Sequence, residues 1–140
     1  MVKVSALFSL LLGAAIFVAA NGLTSTAVAL NAATLGFPES LVGIILSSYF
    51  VGFVVGTYTG PRVIASTGHI RAFAVFAATA CAAVLLHALL SSAFAWVILR
   101  FVTGASLVGL FMVVESWINE RTVNENRGAF FSIYQGTALL

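Results

Sequence analysis

The segment ILRFVTGASLVGLFMVVESWI, residues 98–118, is apolar enough to cross a lipid bilayer, yet it contains Arg100 and Glu115. A helix of about 20 apolar residues spans a bilayer core. At a rise of about 1.5 Å per residue, the two charges are separated by about 22 Å and cannot pair with each other. The segment therefore predicts a transmembrane helix whose two charges have separate partners.

The composition of the whole chain agrees with this prediction. Of the 140 residues, 61% are hydrophobic and 7% are charged, whereas an average soluble domain is about 25% charged. A soluble domain of this size could not bury so much apolar surface. We therefore predict an all-α, polytopic transmembrane bundle. Nothing in the chain matches a catalytic, cofactor, metal or nucleic-acid motif, which argues against an enzyme.

Apolar runs place the spans along the chain. They predict helices at about 4–30, 41–58, 72–90 and 94–118, and the start of a fifth at 128–140. The last run would rise only about 18 Å, which is too short for a bilayer core. We therefore expect the chain to be a fragment cut inside a fifth helix. The alternative is a complete small four-helix protein, acting as an oligomeric exporter or as a membrane scaffold that does not transport.

The N-terminal segment MVKVSALFSLLLGAAIFVAANG, residues 1–22, also resembles a cleavable signal peptide. Its apolar character continues through AVAL at residues 27–30, which favours a retained first helix. Basic residues mark one side of the predicted bundle, and this side should be cytoplasmic. They are Lys3, Arg62, Arg71, Arg121 and Arg127. We therefore predict a multi-pass protein of the cell membrane with a cytoplasmic N-terminus.

Small residues recur every four positions in the second run, at Ser48, Gly52, Gly56 and Gly60. This spacing stacks them on one helix face, where a second backbone can approach closely. Both a static packing groove and a sliding contact between moving parts are consistent with the pattern.

A polar face on the first helix contains Asn21, Thr24 and Ser25. Counted from the outer end of the fourth helix, Arg100 lies about 9 Å deep, at a similar level. We predict that these residues, together with Gln135 in the fifth run, line a substrate or ion pathway. Hydrogen bonding between helices is the alternative for the polar face, and snorkelling to the outer interface is the alternative for Arg100.

Glu115 lies near the predicted cytoplasmic end of the fourth helix. A carboxylate that is partly removed from water needs a cationic partner, and Arg71, Arg121 and Arg127 are the candidates. This arrangement predicts a charge cluster that closes the cytoplasmic face, although a solvated interfacial glutamate is also consistent with the position. His69 is expected to be a solvated turn residue.

Four stretches resemble the N-terminal part of a transporter of the major facilitator superfamily. They are GTYTGPRVIASTGHIRAF (56–73), which resembles the loop between its second and third helices, RFVTG (100–104), VVES (113–116) and NENRG (124–128). The last two are similar to the branch often labelled YcaD-like. The resemblance covers essentially the whole chain but only about five of the expected twelve helices, so it implies a missing C-terminal half.

The resemblance implies that a small solute, not identified by the sequence, crosses the lipid bilayer by alternating access. Arg100 and Gly104 match the fourth-helix signature, whereas Ser106 replaces its next glycine. That signature is associated with proton coupling in some exporters, which makes a proton a second expected partner.

The loop departs further from the family pattern. Ala65 and Ser66 stand where the family has aspartate and arginine, and Gly68 is kept. Without the aspartate, the cytoplasmic gate would be formed by Gly68, Arg71, Glu115 and Arg127.

Overall fold

A computed structural model describes residues 4–121 together with residues 128, 132, 135 and 136. Residues 4–121 form an all-α structure. Its helices are α1 (Val4–Thr34), α2 (Glu39–Thr67), α3 (His69–Leu89) and α4 (Ala93–Arg121). The predicted fifth helix lies mostly outside the described residues, as does Arg127.

Each helix is long and apolar enough to cross a membrane, within the ranges Leu11–Thr34, Glu39–Thr67, His69–Leu89 and Ala93–Glu120. The chain is therefore a multi-pass membrane protein. The span of α4 is buried mainly by the other helices, whereas the spans of α1 and α2 keep most of their residues at the surface. Helix α4 is thus the central element of the described bundle.

The stretch at residues 56–73, which resembled a loop, is helical except at Gly68. Helix α2 continues through Pro61 to Thr67, and α3 begins at His69. Gly68 has a φ of 80°, a conformation that glycine adopts without steric penalty. Its N–H donates to the Ile64 carbonyl at 2.8 Å, and its own carbonyl accepts from the Ala72 N–H at 2.9 Å. Gly68 is thus both the C-cap of α2 and the N-cap of α3.

Helices α2 and α4 are in backbone contact. A Cβ atom added at Gly52 would collide with the Phe101 carbonyl, and one added at Gly104 would collide with the Tyr49 carbonyl. At Gly56 an added Cβ would lie 2.8 Å from the Ala105 carbonyl oxygen. Larger side chains at these three glycines would hold the two helices apart, as expected for small-residue packing in membranes.

Ser48 and Gly60 complete the glycine face, and both are buried. The sulfur atom of Met112 lies 2.8 Å from a Cβ added at Gly60, so the contact at this end of the face is with a flexible side chain. Helix α3 packs on the other side of α4, where the ring of Phe76 covers Gly109.

A hydrophobic cluster closes the bundle at the end where α1 meets α2. Its buried members are Val28, Ala32, Ile45, Ala83, Trp96 and Leu99. The Trp96 indole N–H donates to the Leu90 carbonyl, and the Phe37 ring meets the indole edge-on at 5.8 Å. This cluster joins all four helices and lies next to Arg100 along α4.

Candidate functional site

Arg100 is the charged residue that the bundle buries most completely, with 2% of its surface exposed among the described residues. Its Nη2 donates a hydrogen bond to the Ser25 hydroxyl of α1 at 2.9 Å. Its guanidinium carbon lies 4.7 Å from the ring centroid of Tyr49 on α2, within cation–π range. The side chain therefore points at α1 and α2 and is buried inside the bundle.

The partners of Arg100 are themselves linked. The Ser25 hydroxyl donates to the Asn21 carbonyl at 3.0 Å, so it accepts from the guanidinium and donates at the same time. The Asn21 side-chain amide donates to the Tyr49 hydroxyl at 3.3 Å. Arg100, Ser25, Asn21 and Tyr49 thus form one polar network, which we call the Arg100 network. It joins α1, α2 and α4 inside an otherwise apolar bundle.

The guanidinium is only partly satisfied within this network. Its Nε and Nη1 atoms are buried and have no hydrogen-bond partner among the described residues. The hydrogen bond that the guanidinium donates to a described residue goes to the neutral Ser25 hydroxyl. Among the described residues, Arg100 therefore has no carboxylate partner.

A cavity of about 410 Å³ lies between α1, α3 and α4. Its lining is mostly apolar, and its polar members are Asn21, Thr24, Cys81 and Thr103. The Thr24 hydroxyl donates to the Ala20 carbonyl at 2.8 Å, so it does not take part in the Arg100 network. Asn21 belongs to both the cavity wall and that network.

The residues predicted for the pathway therefore have different positions. Asn21, Ser25 and Arg100 are linked by hydrogen bonds. Thr24 lines the neighbouring cavity and does not bond to Arg100. Gln135 is helical and exposed, outside helices α1–α4. Tyr49 was not predicted. It lies three residues before Gly52, so a search for an aromatic residue beside the glycine face could have found it.

A second polar contact lies at the end of the bundle where α2 meets α3. The Nε2 atom of His69 lies 2.9 Å from the Ser116 hydroxyl and 3.5 Å from a carboxylate oxygen of Glu120. The expectation of a solvated turn residue was wrong, because His69 begins α3 and α4 half-buries its ring. Arg71 and Glu115 are exposed, and their pairing as a gate stays a prediction.

A buried histidine lies near Trp96 and was not assigned to the site. His87 Nδ1 donates to the Ala83 carbonyl at 2.8 Å, because a carbonyl can only accept. Its ring centroid is 6.0 Å from that of Trp96, and its Nε2 has no hydrogen-bond partner among the described residues. Within the same residues, no three His, Cys, Asp or Glu side chains are grouped to hold a metal ion.

The sequence matches a protein family and several curated relatives. The profile of the Major Facilitator Superfamily matches residues 10–140. The chain is 30% identical over 125 residues to the uncharacterized MFS-type transporter YcaD of Escherichia fergusonii, which covers 89% of the chain and 33% of the relative. An uncharacterized MFS-type transporter of Enterobacter sp. strain 638 and YcaD of Salmonella arizonae are each 28% identical over the same shares. No solved structure matches the chain. The chain thus spans about a third of the length of these curated relatives.

Proposed function

The chain belongs to the Major Facilitator Superfamily, and we propose that it forms part of a secondary transporter that moves a small solute across the cell membrane by alternating access. The observation that carries this proposal is the burial of Arg100 in a polar network shared by three helices. A charged residue inside a membrane bundle is costly, by about 2.5–3.5 kcal/mol on insertion scales, and typically marks a substrate or ion pathway.

The packing of the helices supports a moving part at this site. Helices α2 and α4 meet backbone to backbone at Gly52 and Gly104, so they form a rigid pair. Helix α1 is joined to this pair through hydrogen bonds of the Asn21 and Ser25 side chains. Such hydrogen bonds are exchanged at little net cost when a new partner is offered. Helix α1 is therefore the element that would shift as the pathway opens and closes.

The opposite end of the bundle would be the cytoplasmic gate. With the N-terminus in the cytoplasm, the junction at Gly68 would face inward, and the residues proposed for the gate are Gly68, Arg71, Glu115 and Arg127. A change of Glu115→Gln should then alter the rate of opening on the cytoplasmic side. Conformational cycling at the wild-type rate in this variant would remove Glu115 from the gate.

The proposal is tested by labelling from each side of the membrane. Thr24→Cys and Thr26→Cys are introduced separately into the full-length gene product, in a Cys81→Ala background. Both threonines donate to the carbonyl four residues earlier, so they form a matched pair. Thr24 lines the cavity, whereas Thr26 is exposed on another face of α1.

A membrane-impermeant maleimide is then applied to right-side-out and to inverted vesicles. Alternating access predicts that Thr24→Cys reacts from both sides, because the pathway opens to each side in turn. Thr26→Cys, which lies outside the cavity, is expected to react from neither side. Reaction of Thr24→Cys from neither side, or from one side only, would contradict the transporter proposal and favour a scaffold.

The rest of the transporter would be encoded beyond this segment, since the curated relatives are about three times as long as the matched region. Sequencing the gene downstream of codon 140 tests this part of the proposal. An open reading frame with further hydrophobic spans is expected. A stop codon directly after codon 140 would exclude a second half on the same chain.

A further inference from the structure

We infer that Arg100 is the binding site for an oxyanion, and that the transported solute is an organic acid whose carboxylate occupies it. This inference rests on the transporter function proposed above and specifies its substrate class. It is drawn from the atoms that surround the guanidinium.

The first argument is the unmet hydrogen-bonding capacity of Arg100. Nε carries one N–H and Nη1 carries two, and both nitrogens are buried without a partner in the described structure. Buried donors of a charged group are normally satisfied. The partner that satisfies a guanidinium best is a carboxylate or similar oxyanion. The described residues supply only the neutral Ser25 hydroxyl.

The second argument is the direction from which a ligand can approach. The guanidinium carbon lies over the Tyr49 ring, 4.7 Å from the ring centroid. The N–H groups of a guanidinium lie in its plane, so a ligand must meet them edge-on. A carboxylate presents two oxygens to a pair of these nitrogens, Nη2 with Nε or Nη2 with Nη1, whereas a neutral amide presents one. The arrangement therefore selects for charge and for shape.

The third argument links binding to movement. Ser25 occupies Nη2 in the described state, and it is held in place by its own bond to the Asn21 carbonyl. An anion that binds Nη2 and a neighbouring nitrogen competes with Ser25, and so with the attachment of α1. Binding would therefore shift the population of α1 positions, as a transported ligand must.

A carboxylate of the protein itself, from residues outside the described structure, is the competing partner for Arg100. The two cases differ in one respect that can be measured. An internal carboxylate leaves Arg100 satisfied, so that added anions have no effect. A solute site leaves it open, so that added anions stabilise the protein by mass action.

The experiment uses the purified full-length gene product in detergent micelles at constant ionic strength. Its thermal unfolding midpoint is measured against increasing acetate, benzoate and succinate, each paired with acetamide, benzamide or succinamide. At least one acid should raise the midpoint, and its amide should not. Arg100→Gln should weaken the response of that acid by at least about tenfold, since a hydrogen bond to a charged group is typically worth that much or more.

Two further variants keep the test decisive if Arg100→Gln fails to fold. Arg62→Gln removes a cation that is exposed on α2 and donates to the Tyr58 carbonyl, so it should respond like the wild type. Ser25→Ala keeps the charge of Arg100 and removes the hydroxyl that competes for Nη2, so it should bind the acid more tightly than the wild type does. Unchanged affinity in Ser25→Ala would mean that the acid binds elsewhere.

The inference is overturned if no acid raises the midpoint of the wild type, or if Arg100→Gln responds as the wild type does. The labelling of Thr24→Cys separates this failure from failure of the transporter proposal. Reaction from both sides without any acid response would leave a transporter of another solute. Reaction from one side only, with an acid response that depends on Arg100, would leave an anion-binding protein that does not transport.

Discussion

Replacing Gly52 by alanine should separate α2 from α4 and destabilise the bundle. The added Cβ would lie 2.7 Å from the Phe101 carbonyl carbon and 2.9 Å from its Cα, and it would lie closer still to the carbonyl oxygen. Carbon atoms rest at about 3.5–4.0 Å, so the helices would have to move apart locally by about 0.8 Å or more. The obstructing atoms belong to the backbone, so no change of side-chain rotamer relieves the clash.

We expect the free energy of unfolding to fall by about 3 kcal/mol, at the upper end of the usual cost of overpacking. The reason is that the displacement also loosens the neighbouring contacts of Gly56 and Gly104, which share the interface. The measurement is an SDS titration of the full-length protein, followed by circular dichroism.

Two glycines of the same helix are the controls. Gly43 has open space around it, so Gly43→Ala should change stability by no more than about 1 kcal/mol. At Gly60 the nearest atom is the movable sulfur of Met112, so Gly60→Ala should have an intermediate effect. If Gly52→Ala were as stable as Gly43→Ala, the close approach of α2 and α4 would be refuted.

Three other changes test the described contacts. Trp96→Phe removes an indole N–H that donates to a loop carbonyl, and it should cost about 1 kcal/mol of unfolding free energy in the same SDS titration; no loss would mean that the bond is not formed. Tyr49→Phe removes the acceptor of the Asn21 amide but keeps the ring beside Arg100. It should cost about 1 kcal/mol as well and leave the thermal response to acids in place, whereas loss of that response would place the hydroxyl in the anion site. A double-mutant cycle with His69→Gln and Glu120→Gln should give a coupling of at most about 1 kcal/mol, because the carboxylate is 59% exposed; a larger value would show that the pair is shielded from water.

Hydropathy was sufficient to predict the four described spans, because the length of an apolar run is a property of the run alone. It could not predict where the helices end. Helix α2 continues beyond the apolar run through Pro61 and Arg62 to Thr67, because a helix needs hydrogen-bonded backbone and not apolar side chains. The end of the helix is set by Gly68, whose positive φ breaks the repeat.

The same distinction applies to the site. Counting residues placed Arg100 at the depth of Asn21 and Ser25, because helical rise converts sequence distance into depth. The partnership with Tyr49 depends on how α2 is rotated against α4, which the glycine contacts determine. Likewise, His69 looked like a turn residue because the sequence did not reveal that the junction before it is a single glycine.

The residues of the Arg100 network are synthesised in a fixed order. Both partners of the guanidinium, Ser25 and Tyr49, precede Arg100 in the chain, so α1 and α2 leave the ribosome before α4 does. At about 5–20 residues per second, the 51 positions from Tyr49 to Arg100 correspond to roughly 3–10 s of synthesis. We therefore expect the partners of the arginine to be in the membrane before α4 is inserted. If α4 preceded α1 and α2 in the gene, Arg100 would enter the bilayer before its hydrogen-bond and cation–π partners. Membrane insertion, rather than packing of the helices, would then be the step most sensitive to mutation.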